Sequence, residues 1–242
     1  MKLLAILSSM PFESDRILAA LKKPRTVKIA GKNLRRGKLS DIEIILMNTG
    51  IGKVNAAHAA SCILERYSVN VLINIGVAGA YSGAGLKNGD IAVASKEILG
   101  DEGVVDSRGW KSLSTIGIPV VQHGGKKYFN EFQIEHRLFK KIIKAIAADA
   151  AQPRIGHGPF VTLSAASGSR ARADEFANRF KAICENMEGA AIAQVSALYR
   201  MPFLEIRGIS NIAGVRDKKK WDLKTASENC QDAVMDIIRH IF

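Results

Sequence analysis

Only three cysteines occur in the 242-residue chain, aromatic residues make up 6%, and 23 Asp and Glu face 35 Lys and Arg. Cys62, Cys184 and Cys230 stand far apart without paired spacing, so neither a disulfide framework nor a cysteine metal site is indicated. A reducing, cytoplasmic setting is expected. Long apolar runs are also missing: the stretch from Val69 to Ala80 is broken by Asn74, Gly76 and Gly79 and falls short of the ~18 to 20 residues a membrane span needs. The opening run from Met1 to Leu7 is followed by Pro11, Glu13 and Asp15 where a leader would need small residues, so it reads as a buried first strand. The five histidines lack metal-ligand spacing, and no repeat, low-complexity tract or Pro/Ser-rich linker divides the chain. One domain over residues 1–242, without metal or cofactor, is the expectation.

A net charge of +12 gives a long-range field that favours anions. The basic residues are scattered, however, with little aromatic interleaving and no recognition-helix or RNA-binding pattern. Neither nucleic acid nor a membrane is expected as a partner.

What is present is an alternation of short β-branched runs with helical segments, the pattern of an α/β protein with strand-helix-strand units around a mainly parallel sheet. Strands are expected over Lys2 to Ser8, Lys32 to Lys38, Ile42 to Asn48, Val71 to Ile75, Asp90 to Ser95, Pro159 to Leu163, Ala182 to Asn186 and Phe203 to Ile209. Helices are expected over Lys53 to Tyr67, Gln133 to Ala148, Ser169 to Phe180, Glu188 to Tyr199 and Asp222 to Ile241. In the last, apolar residues recur every three or four positions, with Asp222 placed to cap its start. Gly100 to Asn130 is poorest in regular structure, and so long a loop in a compact domain usually serves function or an interaction surface.

Chemistry-bearing residues gather at the expected strand ends. The glycine runs Thr49-Gly50-Ile51-Gly52-Lys53 and Gly76 to Gly85 let backbone amides approach an anion, or else serve as tight turns. Asn186-Met187-Glu188-Gly189 sets a carboxylate where a strand ends and a helix begins, the edge at which open α/β sheets bind ligands. Glu188 could equally do no more than complement the helix dipole. Arg207-Gly208-Ile209-Ser210-Asn211 leaves the last strand with polar groups at its tip, where a plain turn is the competing account. Glu13 comes just after the first strand.

Together, Met10-Pro11-Phe12-Glu13, Thr49 to Ala57, Asn74 to Gly79, Asn186 to Ala191 and Arg207 to Ser210 resemble the bacterial 5′-methylthioadenosine nucleosidases of the nucleoside phosphorylase superfamily, over nearly the whole chain. Within it, Glu102-Gly103-Val104, Ser210-Asn211, Arg216-Asp217 and Trp221-Asp222-Leu223 look like the futalosine hydrolases, which split hypoxanthine from futalosine in menaquinone biosynthesis. The resemblance implies a three-layer α/β/α nucleoside phosphorylase-like fold with a central mixed sheet, and a homodimer or higher homo-oligomer acting on a purine nucleoside. It assigns water activation to Glu13, ribose binding to Glu188 and Met187, and the placing of water and carboxylates to Arg207. Base or loop contacts fall to Ala78, Gly79, Ser164, Ser167 and Ser210.

Two departures carry chemical meaning. Asn211 stands where adenine-releasing relatives have an aspartate that donates a proton to purine N7, and an amide cannot titrate. Its NH₂ and C=O suit a 6-oxopurine, so catalysis by Asn211 through hydrogen bonds to hypoxanthine is expected. Asn74 and Val77 replace the arginine and serine with which hexameric purine phosphorylases hold phosphate, which favours water as nucleophile. A benzoate-bearing 5′ tail needs an apolar pocket ending in a cation, for which Arg216 beside Trp221, or Arg108 near Trp110, are candidates. The alternatives left open are a nucleosidase or phosphorylase for inosine or 5′-methylthioadenosine/S-adenosylhomocysteine, or a non-catalytic nucleotide-binding module.

Overall fold

The computed structural model describes residues 2–147 and 153–242. In chain order it runs β1 (Leu3–Ser8), α1 (Asp15–Ala20), β2 (Lys22–Ile29), β3 (Lys32–Leu39), β4 (Ile42–Asn48), α2 (Lys53–Arg66), β5 (Val71–Ala80) and β6 (Ile91–Leu99). The middle segment holds β7 (Val104–Asp106), β8 (Gly109–Lys111), β9 (Val121–His123), β10 (Lys126–Tyr128) and β11 (Glu131–Gln133). The remainder is α3 (His136–Ala147), β12 (Ile155–Thr162), α4 (Arg170–Phe180), β13 (Cys184–Asn186), α5 (Gly189–Leu198), β14 (Phe203–Ile212) and α6 (Leu223–Ile241). The expected end of α3 at Ala148 lies outside the described residues.

A ten-stranded mixed sheet runs β11-β6-β12-β13-β5-β1-β4-β3-β2, and β14 pairs with both β5 and β6. Those double pairings close β5, β14, β6, β12 and β13 into a ring. Helices cover both faces, giving three layers. Ala56, Ala59, Ala60 and Ile63 of α2 and Ala190, Ala191, Ile192, Ala193 and Val195 of α5 join one buried cluster, and Ile17 of α1, Ile142 of α3 and Val234, Ile237 and Ile238 of α6 join another. Each such Ile or Val stabilises the fold by roughly 1.5–3 kcal/mol relative to leaving it exposed. The stripe expected along α6 is the face it buries, with Asp222 Oδ1 accepting from Thr225 N (3.0 Å) at its start.

The expected strands all form, and β5, β6, β12 and β14 run further than their sequence suggests. β5 continues through Gly76 and Gly79 to Ala80 because β14 pairs with it along that whole length. β2 is an addition. Its Lys22, Lys23, Arg25 and Lys28 gave no alternating pattern, because it is an edge strand exposed on both faces with only Ile29 buried. Its register slips between Lys22 and Arg25, around Pro24, which has no N–H for the ladder. Between Gly100 and Asn130 the chain forms only the small hairpins β7–β8 and β9–β10 and a short turn. Among the described residues, no helix is long and apolar enough to cross a membrane.

Three features then aim side chains at one place. After β1 the chain turns through Pro11–Glu13, and α6 grips that turn: Ser227 Oγ (2.7 Å) and Gln231 Nε2 (3.1 Å) both donate to Phe12 O. Opposite Ala78 and Gly79, β14 carries one extra residue at Ser210, a bulge that re-aims the residues after it. Beyond it the 213–221 loop returns to the sheet, Asp222 N donating to Ser210 O (2.8 Å).

Candidate active site

Glu13, 2% exposed, is bound by three donors. Its Oε2 accepts from Ser9 Oγ (2.6 Å) and Met10 N (2.8 Å), and its Oε1 from Val77 N (2.9 Å). These bonds fix the carboxylate against β5. Gly76 lets it come so close, since a Cβ there would lie 2.6 Å from Glu13 Oε1 and 2.7 Å from an Arg207 terminal nitrogen.

Glu188 opens α5 but does not cap it. Asn186 Oδ1 takes that task, accepting from Glu188 N (2.9 Å) and Gly189 N (2.7 Å). The Glu188 side chain is thereby free to turn across the sheet ends, where Oε1 accepts from Gly52 N (2.9 Å) and Oε2 faces Arg207 at 3.5 Å. The glycine run before α2 is therefore a ligand for this carboxylate. Burial raises the Glu188 pKa from its ordinary value. Arg207 and the Gly52 amide pull it back, while the charges of Glu13 and Glu205 add to the rise.

Arg207, 1% exposed, lies at the centre. Its Nε donates to Glu205 Oε1 (2.8 Å), one terminal nitrogen to Val77 O (3.3 Å), and the other reaches Glu188. Burial works against its charge. Glu205, Glu188 and Glu13 together outweigh that, and its pKa is raised. The bulge puts Asn211 on the wall beside these groups, with Oδ1 accepting from Ser210 Oγ (2.8 Å) and one N–H donated to Ile212 O (3.1 Å). One amide hydrogen and one carbonyl lone pair remain.

A cavity of about 480 Å³ opens over this cluster, large enough for a nucleoside-sized molecule. It brings together Glu13, Glu188, Met187, Arg207, Ala78, Gly79, Ser167, Ser210, Asn211, Arg216 and Trp221. Arg216 lies at the rim over the Trp221 ring, 4.9 Å from its centroid, and Trp221 Nε1 donates to Val215 O (3.0 Å). Two expected residues are elsewhere. Ser164 is outside the lining, because its N–H is taken by Asp101 Oδ2 (2.5 Å), whose Oδ1 also holds Lys53 (2.8 Å). Arg108 is outside too, its exposed side chain turned to Asp106, while Trp110 packs edge-on against Phe180 at 5.4 Å. A second hollow, about 550 Å³, lies near the end of α5 and holds none of these residues.

Three carboxylates went unnoticed in the sequence. Glu185 lines the cavity and grips Ser167, accepting from its N (2.8 Å) and its Oγ (2.6 Å). Glu205 and Glu97 lie behind Arg207 with no exposed surface. The signal for these two was there: Glu205 stands between Leu204 and Ile206, and Glu97 directly before Ile98 and Leu99, in strands whose burial penalises an acid unless it is paired. Among the described residues, no group of three or more His, Cys, Asp or Glu is placed to hold a metal ion. What the arrangement offers is proton acceptance at Glu13, and at Glu188 a negative charge for hydroxyl donors or a nearby cation.

The sequence profile of the phosphorylase superfamily matches residues 3–241. A futalosine hydrolase of Thermus thermophilus is 32% identical over 194 residues, 80% of each chain. A 5′-methylthioadenosine/S-adenosylhomocysteine nucleosidase of a Geobacillus species is 28% identical over 97% of each. Among solved structures, a nucleosidase of that name from Colwellia psychrerythraea, in complex with adenine, superposes with a TM-score of 0.85 at 26% identity, covering 99% of this chain and 96% of the other.

The close approach at Gly76 has a measurable consequence. Gly76→Ala is expected to lower the unfolding free energy by ~1–3 kcal/mol, as overpacking does. Adding Glu13→Ala removes one of the two groups in the way, so the double variant recovers part of that loss in a urea-melt cycle; strictly additive losses would contradict the geometry.

Proposed function

The chain belongs to the phosphorylase superfamily, and on that footing we propose that it hydrolyses the N-glycosidic bond of a 6-oxopurine nucleoside, with futalosine as substrate and hypoxanthine as the released base. Cleaving this bond builds positive charge on the ribose and negative charge on the purine, so the site must answer both at once. Glu188 accepts hydrogen bonds from the 2′- and 3′-hydroxyls and opposes the developing cation, with Met187 beside the sugar. Glu13 takes the proton of the water that adds to C1′, and the electron pair of the C1′–N9 bond leaves with the base. Arg207 holds the two carboxylates in register. The relatives named above support hydrolysis, as does Asn74, which matches the phosphate-binding arginine of the phosphorylases. Its amide is turned away from the cavity, donating to Glu205 Oε1 (3.0 Å).

The observation that carries the choice of base is the neutral amide of Asn211 on the cavity wall. It cannot protonate N7 of adenine, but it can donate to O6 and accept from N7–H of hypoxanthine. Glu185 supports the same choice: a 6-oxopurine has an N–H at N1 to offer a carboxylate, whereas adenine N1 is an acceptor. Arg216 and Trp221 suit the carboxylate and ring of a benzoate-bearing tail, which fits futalosine and a place in menaquinone biosynthesis. The rival reading, release of adenine from 5′-methylthioadenosine or S-adenosylhomocysteine, draws on the names of several relatives. A homo-oligomer is part of our reading, supported by exposed Ile51, Val54, Ile118 and Leu198.

The deciding experiment incubates the protein with futalosine, inosine and 5′-methylthioadenosine, with and without phosphate, and follows free base by chromatography. Phosphate-independent hypoxanthine from futalosine is expected; adenine release, or a phosphate requirement, would overturn the reading. Asn211→Asp is expected to lower kcat/KM on the 6-oxopurine nucleoside by ~10²-fold and raise it on the adenine one, in line with the discrimination of a polar pocket. Arg216→Ala should cost about tenfold on futalosine, the scale of one charge-assisted contact, and leave inosine unchanged. Equal losses on both substrates would remove the tail-binding role.

A further inference from the structure

Behind Arg207, inside the ring of strands, lie two carboxyl groups that the reaction does not touch. Glu97 comes from β6 and Glu205 from β14, and neither has any exposed surface. Glu97 Oε2 accepts from Thr162 Oγ1 (2.7 Å) of β12, and Oε1 from Asn186 Nδ2 (2.8 Å) of β13. Glu205 Oε1 accepts from Arg207 Nε (2.8 Å) and Asn74 Nδ2 (3.0 Å). Its other oxygen, Oε2, is buried without a partner. That orphan oxygen and Glu97 Oε1 crowd together over Gly189, where a Cβ would fall on both. Two ionised carboxylates this close, without water, repel strongly, and a proton between them removes the repulsion and supplies the missing donor.

We propose that Glu97 and Glu205 hold one proton between them, carried by Glu97 and donated to Glu205 Oε2, and that this pair is the positioning element that fixes Arg207 against Glu188. Its kinetic consequence rests on the nucleosidase reading; its protonation does not. With the proton in place, a single negative charge backs Arg207, and the guanidinium stays shared between Glu205 and Glu188. Without it, a second charge draws Arg207 back and loosens the ribose carboxylate. The same proton is tied to the start of α5, since Asn186 binds Glu97 with its amide and caps the helix with its carbonyl. The titratable and charged groups facing Glu97 are Glu205 and Arg207 of β14 and Cys184 of β13. Burial and Glu205 push the Glu97 pKa well up, with Thr162 and Arg207 pulling the other way, and the Cys184 thiol is held neutral by burial and the carboxylates around it.

Infrared spectroscopy of the whole protein at neutral pH tests the proton directly, because an un-ionised carboxylic acid has a C=O stretch apart from the carboxylate bands. The band is expected in the wild type and in Glu188→Gln, and absent in Glu97→Gln. No band in the wild type, or one that survives Glu97→Gln, overturns the proposal whatever the enzyme's substrate proves to be. Should Glu97→Gln fail to fold, Glu205→Gln decides instead: it takes away the carboxylate that accepts the proton, so the band must shift in frequency or vanish, and an unchanged band overturns the proposal. In kinetics, Glu97→Ala is expected to lower kcat by ~100-fold, the scale of a misplaced catalytic group, with KM little changed. The wild type is expected to show an alkaline fall in kcat as the pair gives up its proton, and Glu97→Gln, neutral and of the same shape, should stay within about tenfold and lose that fall. Equal losses for Ala and Gln, or an alkaline limb that persists in Glu97→Gln, would leave the pair without a positioning role.

Discussion

A guanidinium buried to the last few square ångströms must be met by negative charge at bonding distance, since its transfer out of water is otherwise prohibitive. Arg207 is that group here, and the surrounding architecture answers it. Glu205 meets its Nε from the same strand, Glu188 reaches it from the start of α5, and Glu13 comes from the turn after β1. Two carboxylates are thus bonded to the one cation, and a third, from a distant segment, lies close by. Of the two carboxylates that face the cavity, Glu188 is held in part by the charge behind it, and Glu13 by Ser9, Met10 and Val77.

The ring of strands makes this possible. β14 pairs parallel with β5 and antiparallel with β6, so its residues between Glu205 and Gly208 are enclosed on both edges. Water is kept from the arginine, and electrostatic attraction within the cluster is correspondingly strong. Past the ring the ladder is broken by the bulge at Ser210, and side chains there turn to the cavity. The same strand therefore carries the buried charge in its middle and the cavity-facing amide of Asn211 at its tip.

Much of this is legible in the sequence. Glu13, Glu188, Arg207 and Asn211 stand out because polar residues come directly after apolar runs at strand ends, and the cavity gathers all four. The helix-dipole account of Glu188 gives way to its bonds with Gly52 and Arg207, and the cap is Asn186. The features that escape notice depend on contacts between distant segments. β2 has no apolar alternation, so only its pairing with β3 reveals it. Glu97 and Glu205 are 108 residues apart and meet only through the ring. Ser164 and Arg108 look available in sequence, yet Asp101 and Asp106 claim them.

Chemistry and selectivity occupy different parts of the site. In the proposed reaction the arginine and its carboxylates answer charge on the sugar, a demand that every N-glycoside makes alike. The base side holds Asn211, Ser210 and the Glu185–Ser167 clasp, none of which touches Arg207. With an amide in place of an acid, the purine cannot be helped away by proton donation from that side chain, and the departing charge must be spread over the base itself. A 6-oxopurine does this through O6, where an amide N–H can meet it, and adenine has no such oxygen. In the proposed reaction, an amide in place of an acid at position 211 shifts the burden of leaving-group stabilisation from the protein to the substrate, and that shift would narrow the range of bases the site can release.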